Sequence, residues 1–168
     1  MKRLIYCAVF VLVVIVQTSY SQGFPYHLYA PRTFAELNEI DAGERVRVTD
    51  TVNLLVSDKP YYSAVRLEFT GKSRNLSVKK LGHYKYWVAA MGVGDEKRNT
   101  DVLSVIEKEF LFRECVKEYW ITVQTPAAND FPEDLKDGDM ITLYLMKAGG
   151  IETSGILEPM YLTNSFRV

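Results

Sequence analysis

Residues 65–70 read VRLEFT, and residues 140–146 read MITLYLM. In the first stretch Val65, Leu67 and Phe69 alternate with polar residues, which is the period of a strand that buries one face. The second stretch is apolar and β-prone throughout, as in a strand that is buried on both faces. These two segments predict a fold that is built mainly from β-strands.

Further strands are predicted on both sides of these segments, wherever the same alternation or an aromatic, β-prone run recurs. They cover residues 46–48, 52–56, 76–81, 83–91, 110–124 and 156–166. Clusters of turn-forming residues separate the strands at residues 57–60, 70–73, 92–95, 136–139 and 153–155. Residues 126–132 are predicted to be a polar connection, and Pro159 is expected to break the last strand.

One short amphipathic helix is predicted at residues 33–42. Thr33 and Glu36 have the spacing of a capping box, in which each side chain accepts a hydrogen bond from the backbone amide of the other residue. The apolar residues of this segment recur at helical spacing: Phe34, Leu37 and Ile40. A second short helix, or a loop, is predicted after Asn99.

The closely spaced strands favour an antiparallel β-barrel or sandwich over a parallel α/β sheet, because most of the connections are too short for a helical crossover. Leu37 followed by residues 43–48, and Leu135 followed by residues 138–143, each place a turn glycine and an acid before alternating residues. This pattern is similar to the strand start of small, partly open barrels such as OB-type and SH3-like folds. It carries no functional residues, and the expected fold is a mainly β, OB-like or SH3-like barrel with one or two short helices.

The composition is that of a globular protein of about one domain. Of the 168 residues, 48% are hydrophobic and 24% are charged, which excludes a disordered chain. The 10 glycines and 2 cysteines exclude a collagen-like or disulfide-dense protein. A formal net charge of -1 lacks the basic excess of a dedicated nucleic-acid-binding protein, so we expect no nucleic-acid partner.

The first residues have the features of a cleavable secretory signal peptide. Lys2 and Arg3 precede an apolar run at residues 4–16, which is too short to span a bilayer as a helix. Ser19 and Ser21 place small side chains where signal peptidase requires them. We therefore expect a signal peptide at residues 1–21, an extended arm at residues 22–32 and a single β-rich domain at residues 33–168. Retention of the first segment as an uncleaved anchor is the alternative.

Export would leave the mature chain with a single thiol. Cys7 lies in the predicted signal peptide, so Cys115 cannot form an intramolecular disulfide after cleavage. Its neighbours Phe110, Phe112 and Val116 predict that its side chain is buried. Removing Lys2 and Arg3 reduces the 20 basic residues to 18, against 21 acidic residues, so the net charge becomes -3.

The aromatic content is the most unusual feature of the mature chain, with 11 Tyr, 8 Phe and 2 Trp in the full sequence. If residues 83–91 form a strand, Tyr84 and Tyr86 lie on one face and Trp87 lies on the other. Aromatic side chains on an exposed β-face stack on sugars, on nucleic-acid bases or on partner side chains. The predicted ligand-binding face combines these aromatics with nearby lysines: Tyr84, Lys85, Tyr86, Trp87, Lys79 and Lys80. An aromatic barrel core is the alternative interpretation.

Catalytic and metal-binding motifs are absent from the sequence. It has no H-E-x-x-H or C-x-x-C pair and no calcium loop, so we expect no metal and no cofactor. The acidic residues at 130–139 are interpreted as a solvated turn. His27 and His83 are the only histidines, and both are expected at the surface.

The predicted function is therefore an exported, non-enzymatic module that binds a protein or glycan partner. We expect this partner in the cell envelope or the extracellular space, with no stable membrane span in the mature chain. The alternative is a small secreted hydrolase that uses Cys115 or a carboxylate pair.

Overall fold

The computed structural model describes residues 24–40, 44–47, 49–50, 52–90 and 96–168. The predicted signal peptide and the predicted turn at residues 92–95 lie outside these ranges. Among the described residues, no helix has the length and apolar character that crossing a membrane requires.

Seven strands and four α-helices are described. The strands are β1 (Ala30–Arg32), β2 (Glu44–Arg47), β3 (Val52–Asn75), β4 (Ile106–Glu114), β5 (Lys117–Gln124), β6 (Met140–Thr153) and β7 (Ile156–Arg167). The helices are α1 (Phe34–Glu39), α2 (Val78–Ala90), α3 (Glu96–Ser104) and α4 (Thr125–Asp134), after a single 3-10 turn at Tyr26–Leu28. The mainly β fold class is confirmed.

Five of the strands close into a barrel. They pair in the order β3, β4, β5, β7 and β6, and β6 pairs back onto β3. All of these pairings are antiparallel except that of β5 with β7. Helix α4 connects β5 to β6. This strand order is that of an OB-type barrel, one of the two barrel types that the sequence predicts.

Strand β3 runs through both of the turns that the sequence predicts near its middle and its end. Its register against β6 shifts between Val56 and Tyr61, and its register against β4 shifts between Phe69 and Ser73. Gly71 lies at the second shift with φ of 68°. A long strand has to bend for a barrel to close, and bulges supply that bend. The turn-forming residues therefore mark irregularities within one strand, and the two predicted turns are wrong.

The strand predicted at residues 83–91 is wrong, because residues 83–90 belong to helix α2. Tyr84, Trp87 and Val88 are all buried, and their i, i+3, i+4 spacing places them on one side of a helix. The weak strand predicted at residues 76–81 is wrong as well, because residues 78–81 form the first turn of α2. The polar connection predicted at residues 126–132 is helix α4, with Phe131 buried in the barrel.

The short N-terminal helix is confirmed as α1. The Thr33 hydroxyl accepts a hydrogen bond from the Glu36 amide at 3.1 Å, and the Thr33 amide donates to the Glu36 carboxylate at 2.8 Å. These bonds form the predicted capping box, and they lower the pKa of Glu36. The helix ends at Glu39, and residues 41–43 lie outside the described chain.

Two of the other predicted turns are confirmed. Gly138, with φ of 91°, lies in the predicted turn before β6, and Ser154 and Gly155 form the predicted reversal between β6 and β7. Pro159 does not break β7, because it lies opposite Gly150 within the β6–β7 pairing.

The buried apolar residues form two clusters on opposite sides of the barrel wall. The inner cluster fills the barrel, and α1 and α4 insert Phe34, Leu37 and Phe131 into it. The outer cluster lies between α2 and the outside of the wall: Leu54, Tyr84, Trp87, Val88, Ile106, Ile151, Met160 and Leu162. Helix α2 therefore covers one side of the barrel.

Two single-residue predictions are also corrected. Cys115 is exposed, not buried, because it lies in the two-residue turn between β4 and β5, beyond the part of the hairpin that packs. His83 lies on the buried side of α2 and is not a surface residue. His27 is exposed, as expected.

Candidate functional site: a slot in the barrel wall

The barrel wall opens between β5 and β7. Within the described residues these strands pair only at Thr122 with Leu162 and at Val123 with Thr163. Toward their N-terminal ends they lie on either side of a hollow of about 360 Å³, which we call the slot. This volume lies within the range of about 300–1,000 Å³ that is typical of small-molecule sites.

Side chains from both faces of the sheet line the slot, because it lies along strand edges. Strand alternation directs Tyr119 and Tyr161 into the barrel and directs Trp120 and Glu158 outward. All four line the slot. A ligand in this gap would therefore meet an aromatic inner wall and a charged outer wall.

The inner wall is a packed group of three rings. The centroid of the Phe34 ring lies 4.2 Å from that of Tyr119 and 4.8 Å from that of Tyr161. The Tyr161 hydroxyl donates to the Asn38 side-chain oxygen. Burial raises the pKa of Tyr161 and that of Tyr119. Both phenols therefore stay protonated at neutral pH and can donate hydrogen bonds.

Opposite charges from the barrel hold the helix that carries Phe34. At its N-terminus the Glu114 carboxylate accepts hydrogen bonds from the Phe34 amide at 2.7 Å and the Ala35 amide at 3.3 Å. At its C-terminus the buried Lys147 ammonium donates to three carbonyls: those of Leu37, Asn38 and Ile40, at 3.0, 3.0 and 2.7 Å. An anion at the first turn and a cation at the last both match the helix dipole.

A buried carboxylate organises the outer wall. The side chain of Glu109 is 1% exposed, and it forms ion pairs with Lys80 through Oε1 and with Arg74 through Oε2, the latter at 2.9 Å. The Arg74 guanidinium lies 4.1 Å from the centre of the Trp120 ring, in cation–π geometry. Lys80 also lies 3.5 Å from Glu158. One buried acid thus positions both cations and, through Arg74, the indole.

Helix α2 is tied to the barrel directly beside the slot. The Tyr84 hydroxyl donates to the Tyr161 carbonyl at 2.7 Å and lies 2.8 Å from the Thr122 hydroxyl. Burial of the phenol raises the pKa of Tyr84, so the hydroxyl remains a donor. This tie places Lys80, one turn earlier in α2, at the rim of the slot.

The six residues of the predicted binding face do not form one face. Lys80 lines the slot, and Lys79 lines a neighbouring hollow. Tyr84 and Trp87 are buried in the outer cluster, whereas Lys85 and Tyr86 are exposed on the other side of α2. The expected exposed aromatic row is wrong, because it assumed a strand period for a helix. A ligand-binding role for these residues stays a prediction.

Sequence reasoning does not single out the aromatics that the slot uses. It places Tyr119 and Trp120 in the strand predicted at residues 110–124. Their position at an open strand edge depends on the pairing of β5 with β7, which no local pattern reveals. The adjacent Tyr–Trp pair on a strand is the only available signal, because it places a ring on each face.

Other chemistry has less support in the described part of the chain. No group of three His, Cys, Asp or Glu side chains there is arranged to hold a metal ion. No hydrogen bond joins Cys115 to a histidine or a carboxylate among those residues. Both oxygens of Glu109 already contact cations, so this buried acid offers no free atom to a substrate.

Comparisons with protein-family models, with curated proteins and with solved structures found no match to this chain. A functional assignment therefore depends on the chemistry of the slot. That chemistry combines aromatic rings on both walls with paired charges at the rim. Such an arrangement can hold a ligand that has apolar faces and many hydroxyl groups.

Proposed function

We propose that this chain is an exported, non-enzymatic binding module that holds an uncharged oligosaccharide in the slot. The observation that carries the proposal is the position of Tyr119, Trp120 and Tyr161 around a gap between two barrel strands. OB-type barrels commonly bind oligosaccharides or oligonucleotides, although fold alone does not establish function.

The aromatic walls suit a sugar because its ring has apolar C–H faces that stack on aromatic faces. Trp120 and Tyr119 are both half-buried, so each ring is fixed in place while part of it remains accessible. The Arg74 guanidinium and the Phe34 ring hold these two side chains. A ligand would therefore bind to an aromatic site that is already ordered, which lowers the entropy cost of binding.

The paired charges favour an uncharged ligand. Arg74 and Lys80 contact Glu109, and Glu158 lies 3.5 Å from Lys80. An anionic ligand would compete with these carboxylates and would be repelled by Glu158 and Glu118, which is the reason to prefer a sugar over a nucleic acid. Sugar hydroxyls can donate to Glu158 and accept from Lys80 without breaking either pairing.

The hydrolase alternative draws less support from the same contacts. A glycosidase needs two carboxyl groups that reach the scissile bond. Glu109 is buried behind Lys80 and Arg74, which leaves Glu158 and Glu118 as the carboxylates at the rim. Cys115 lies at the tip of the β4–β5 hairpin, and it does not line the slot.

Calorimetric titration tests the binding proposal, with the tetrasaccharides of a β-1,4-glucan and of chitin as probes. We expect one series to bind the mature chain and Trp120→Ala to weaken that binding at least about tenfold, or 1.4 kcal/mol. The matched control is Tyr86→Ala, which removes an exposed ring outside the slot.

Three results would count against the proposal. If neither series binds, the oligosaccharide class is wrong and a protein partner becomes the better candidate. If Tyr86→Ala weakens oligosaccharide binding as much as Trp120→Ala does, the binding site lies on the exposed face of α2 instead of in the slot. Release of reducing ends during the titration would favour the hydrolase alternative.

The export part of the proposal rests on the predicted signal peptide and has its own test. The full chain is expressed in a bacterial host, and the protein in the periplasm or medium is analysed by mass spectrometry. We expect a mature N-terminus at Gln22. Retention of the intact chain in the membrane fraction would favour the uncleaved anchor.

A further inference from the structure

A second hollow lies beside the slot and shares a wall with it. This hollow has a volume of about 300 Å³ and lies against the turn between β6 and β7. The described residues that line it are Lys79, Thr153, Ser154, Ile156 and Glu158. Glu158 also lines the slot, so the two hollows are neighbours along β7.

A path through both hollows is longer than one sugar ring. It follows β7 from Tyr161 in the slot to Ile156 at the turn, and five residues of extended strand span about 17 Å. The volume of each hollow alone is near the lower limit for a small-molecule site. One compact ligand would therefore leave half of the path empty.

The second hollow offers the same kinds of contact as the slot. Ile156 is 75% exposed and provides an apolar surface. The Thr153 hydroxyl is buried and has no hydrogen-bond partner in the structure. A buried hydroxyl without a partner costs free energy, and rotation of this half-buried side chain toward a ligand hydroxyl would supply that partner.

Glu158 lies at the junction of the two hollows. Its side chain is 46% exposed, and Lys80 holds its carboxylate from the protein side. The free edge of this carboxylate can accept hydrogen bonds from hydroxyls on either side of the junction. Successive units of one chain would present such hydroxyls in turn.

We infer that the ligand is a linear oligosaccharide whose chain runs from the slot across Glu158 into the hollow beside Ile156. This inference rests on the proposed function and adds the shape of the ligand to it. It makes Ile156 and Thr153 contacts for the distal sugar units. Binding should then depend on chain length in a way that a single-ring site would not show.

The test is a calorimetric length series, from disaccharide to hexasaccharide, in the probe series that binds. We expect the wild-type affinity to rise about tenfold or more over the series. Ile156→Ala should remove most of that rise and leave disaccharide binding unchanged. Thr153→Val keeps the size of the side chain and should have the same selective effect.

The control is Val116→Ala, which truncates an apolar side chain that is 92% exposed at the far β4–β5 turn. This substitution should leave the affinity for every oligosaccharide of the length series unchanged. Thermal melting of each variant checks the fold, which these exposed apolar truncations should preserve.

The possible failures are distinguishable. If disaccharide and hexasaccharide bind equally, or if Ile156→Ala weakens both alike, the extended path is wrong and the slot remains the binding site. If no length binds, both the path and the proposed function are overturned.

Discussion

At the scale of single residues, Glu109 holds both cations of the outer wall in place. Its carboxylate is removed from water and contacts two cations, one of which, Lys80, has a side chain only 11% exposed. A buried ion pair is weak evidence for stability, but loss of one partner leaves an uncompensated charge. The two cations keep separate roles at the rim, because Arg74 lies over Trp120 and Lys80 lies near Glu158.

Glu109→Gln should lower the free energy of unfolding by about 3 kcal/mol, because Lys80 stays buried without its main partner. Urea denaturation of both proteins measures the difference. The control is Glu118→Gln, which removes an exposed carboxylate 3.0 Å from Arg113 and should cost less than about 1 kcal/mol. Equal effects of the two substitutions would show that burial of Glu109 is unimportant.

His83 should make the stability depend on pH. Burial lowers the pKa of His83 below its ordinary value of 6.5, and Lys79 and Lys80 lower it further, while Glu158 opposes them. As the pH falls below 6.5, the unfolded chain takes up the proton before the folded chain does, so stability is lost in that window.

His83→Gln should remove this loss between about pH 7.5 and about pH 5. The free energy of unfolding, measured at several pH values, gives the slope for each protein. His27→Gln changes an exposed histidine and should retain the wild-type slope. A slope that His83→Gln leaves unchanged would assign the pH dependence to other groups.

At the scale of elements, the close approach of β6 to β7 positions one rim of the slot. Gly150 faces Pro159 across this pair, and a Cβ built on Gly150 would lie 3.0 Å from the Glu158 carbonyl oxygen and 2.7 Å from a Leu157 methyl group. The side chain of Leu157 can rotate away, but the backbone of β7 cannot. The absence of a side chain at Gly150 therefore permits this strand spacing.

Gly150→Ala should destabilise the protein by about 1–3 kcal/mol, the usual cost of overpacking. Gly82→Ala provides the matched control, because Gly82 lies in α2 and a Cβ added there would contact nothing within 4 Å beyond its chain neighbours and the backbone of its own helix. There the added methyl group should stabilise the helix by up to about 1 kcal/mol. Thermal melting compares the two; shifts of the same sign would contradict the packing argument.

At the scale of the whole molecule, the barrel wall joins the inner cluster to the outer cluster. Phe131 lies in the inner cluster within ring contact of Phe69, Phe110, Phe112 and Phe166. Trp87, by contrast, belongs to the outer cluster, and Trp120 points to the same outer side. Because the same strands supply both clusters, we expect them to unfold together.

Phe131→Ala should lower the free energy of unfolding by about 3–5 kcal/mol, since the cavity forms at a fully buried position. Tryptophan fluorescence and far-UV circular dichroism should report the same lowered midpoint, as two-state unfolding requires. An unchanged fluorescence midpoint would mean that the outer cluster unfolds independently.

Local patterns predict the parts of the fold whose contacts are local. The capping box of Thr33 and Glu36 depends on neighbouring residues, and it forms as expected. The alternation in residues 65–69 predicts the buried face of β3. The pattern fails at Tyr84 and Trp87, where the same aromatics suit a strand or a helix, and at Cys115, where apolar neighbours suggest burial of a turn residue.

The sequence by itself therefore determined the fold class, the helix α1 and most of the strands, because a period of two or a cap is set by residues close in the chain. Tertiary structure alone decided the slot and its chemistry. Arg74, Glu109 and Trp120 come from three different strands, and Lys80 and Tyr161 come from a helix and a fourth strand. Their approach depends on how β5 and β7 separate, which is a property of barrel closure rather than of any segment.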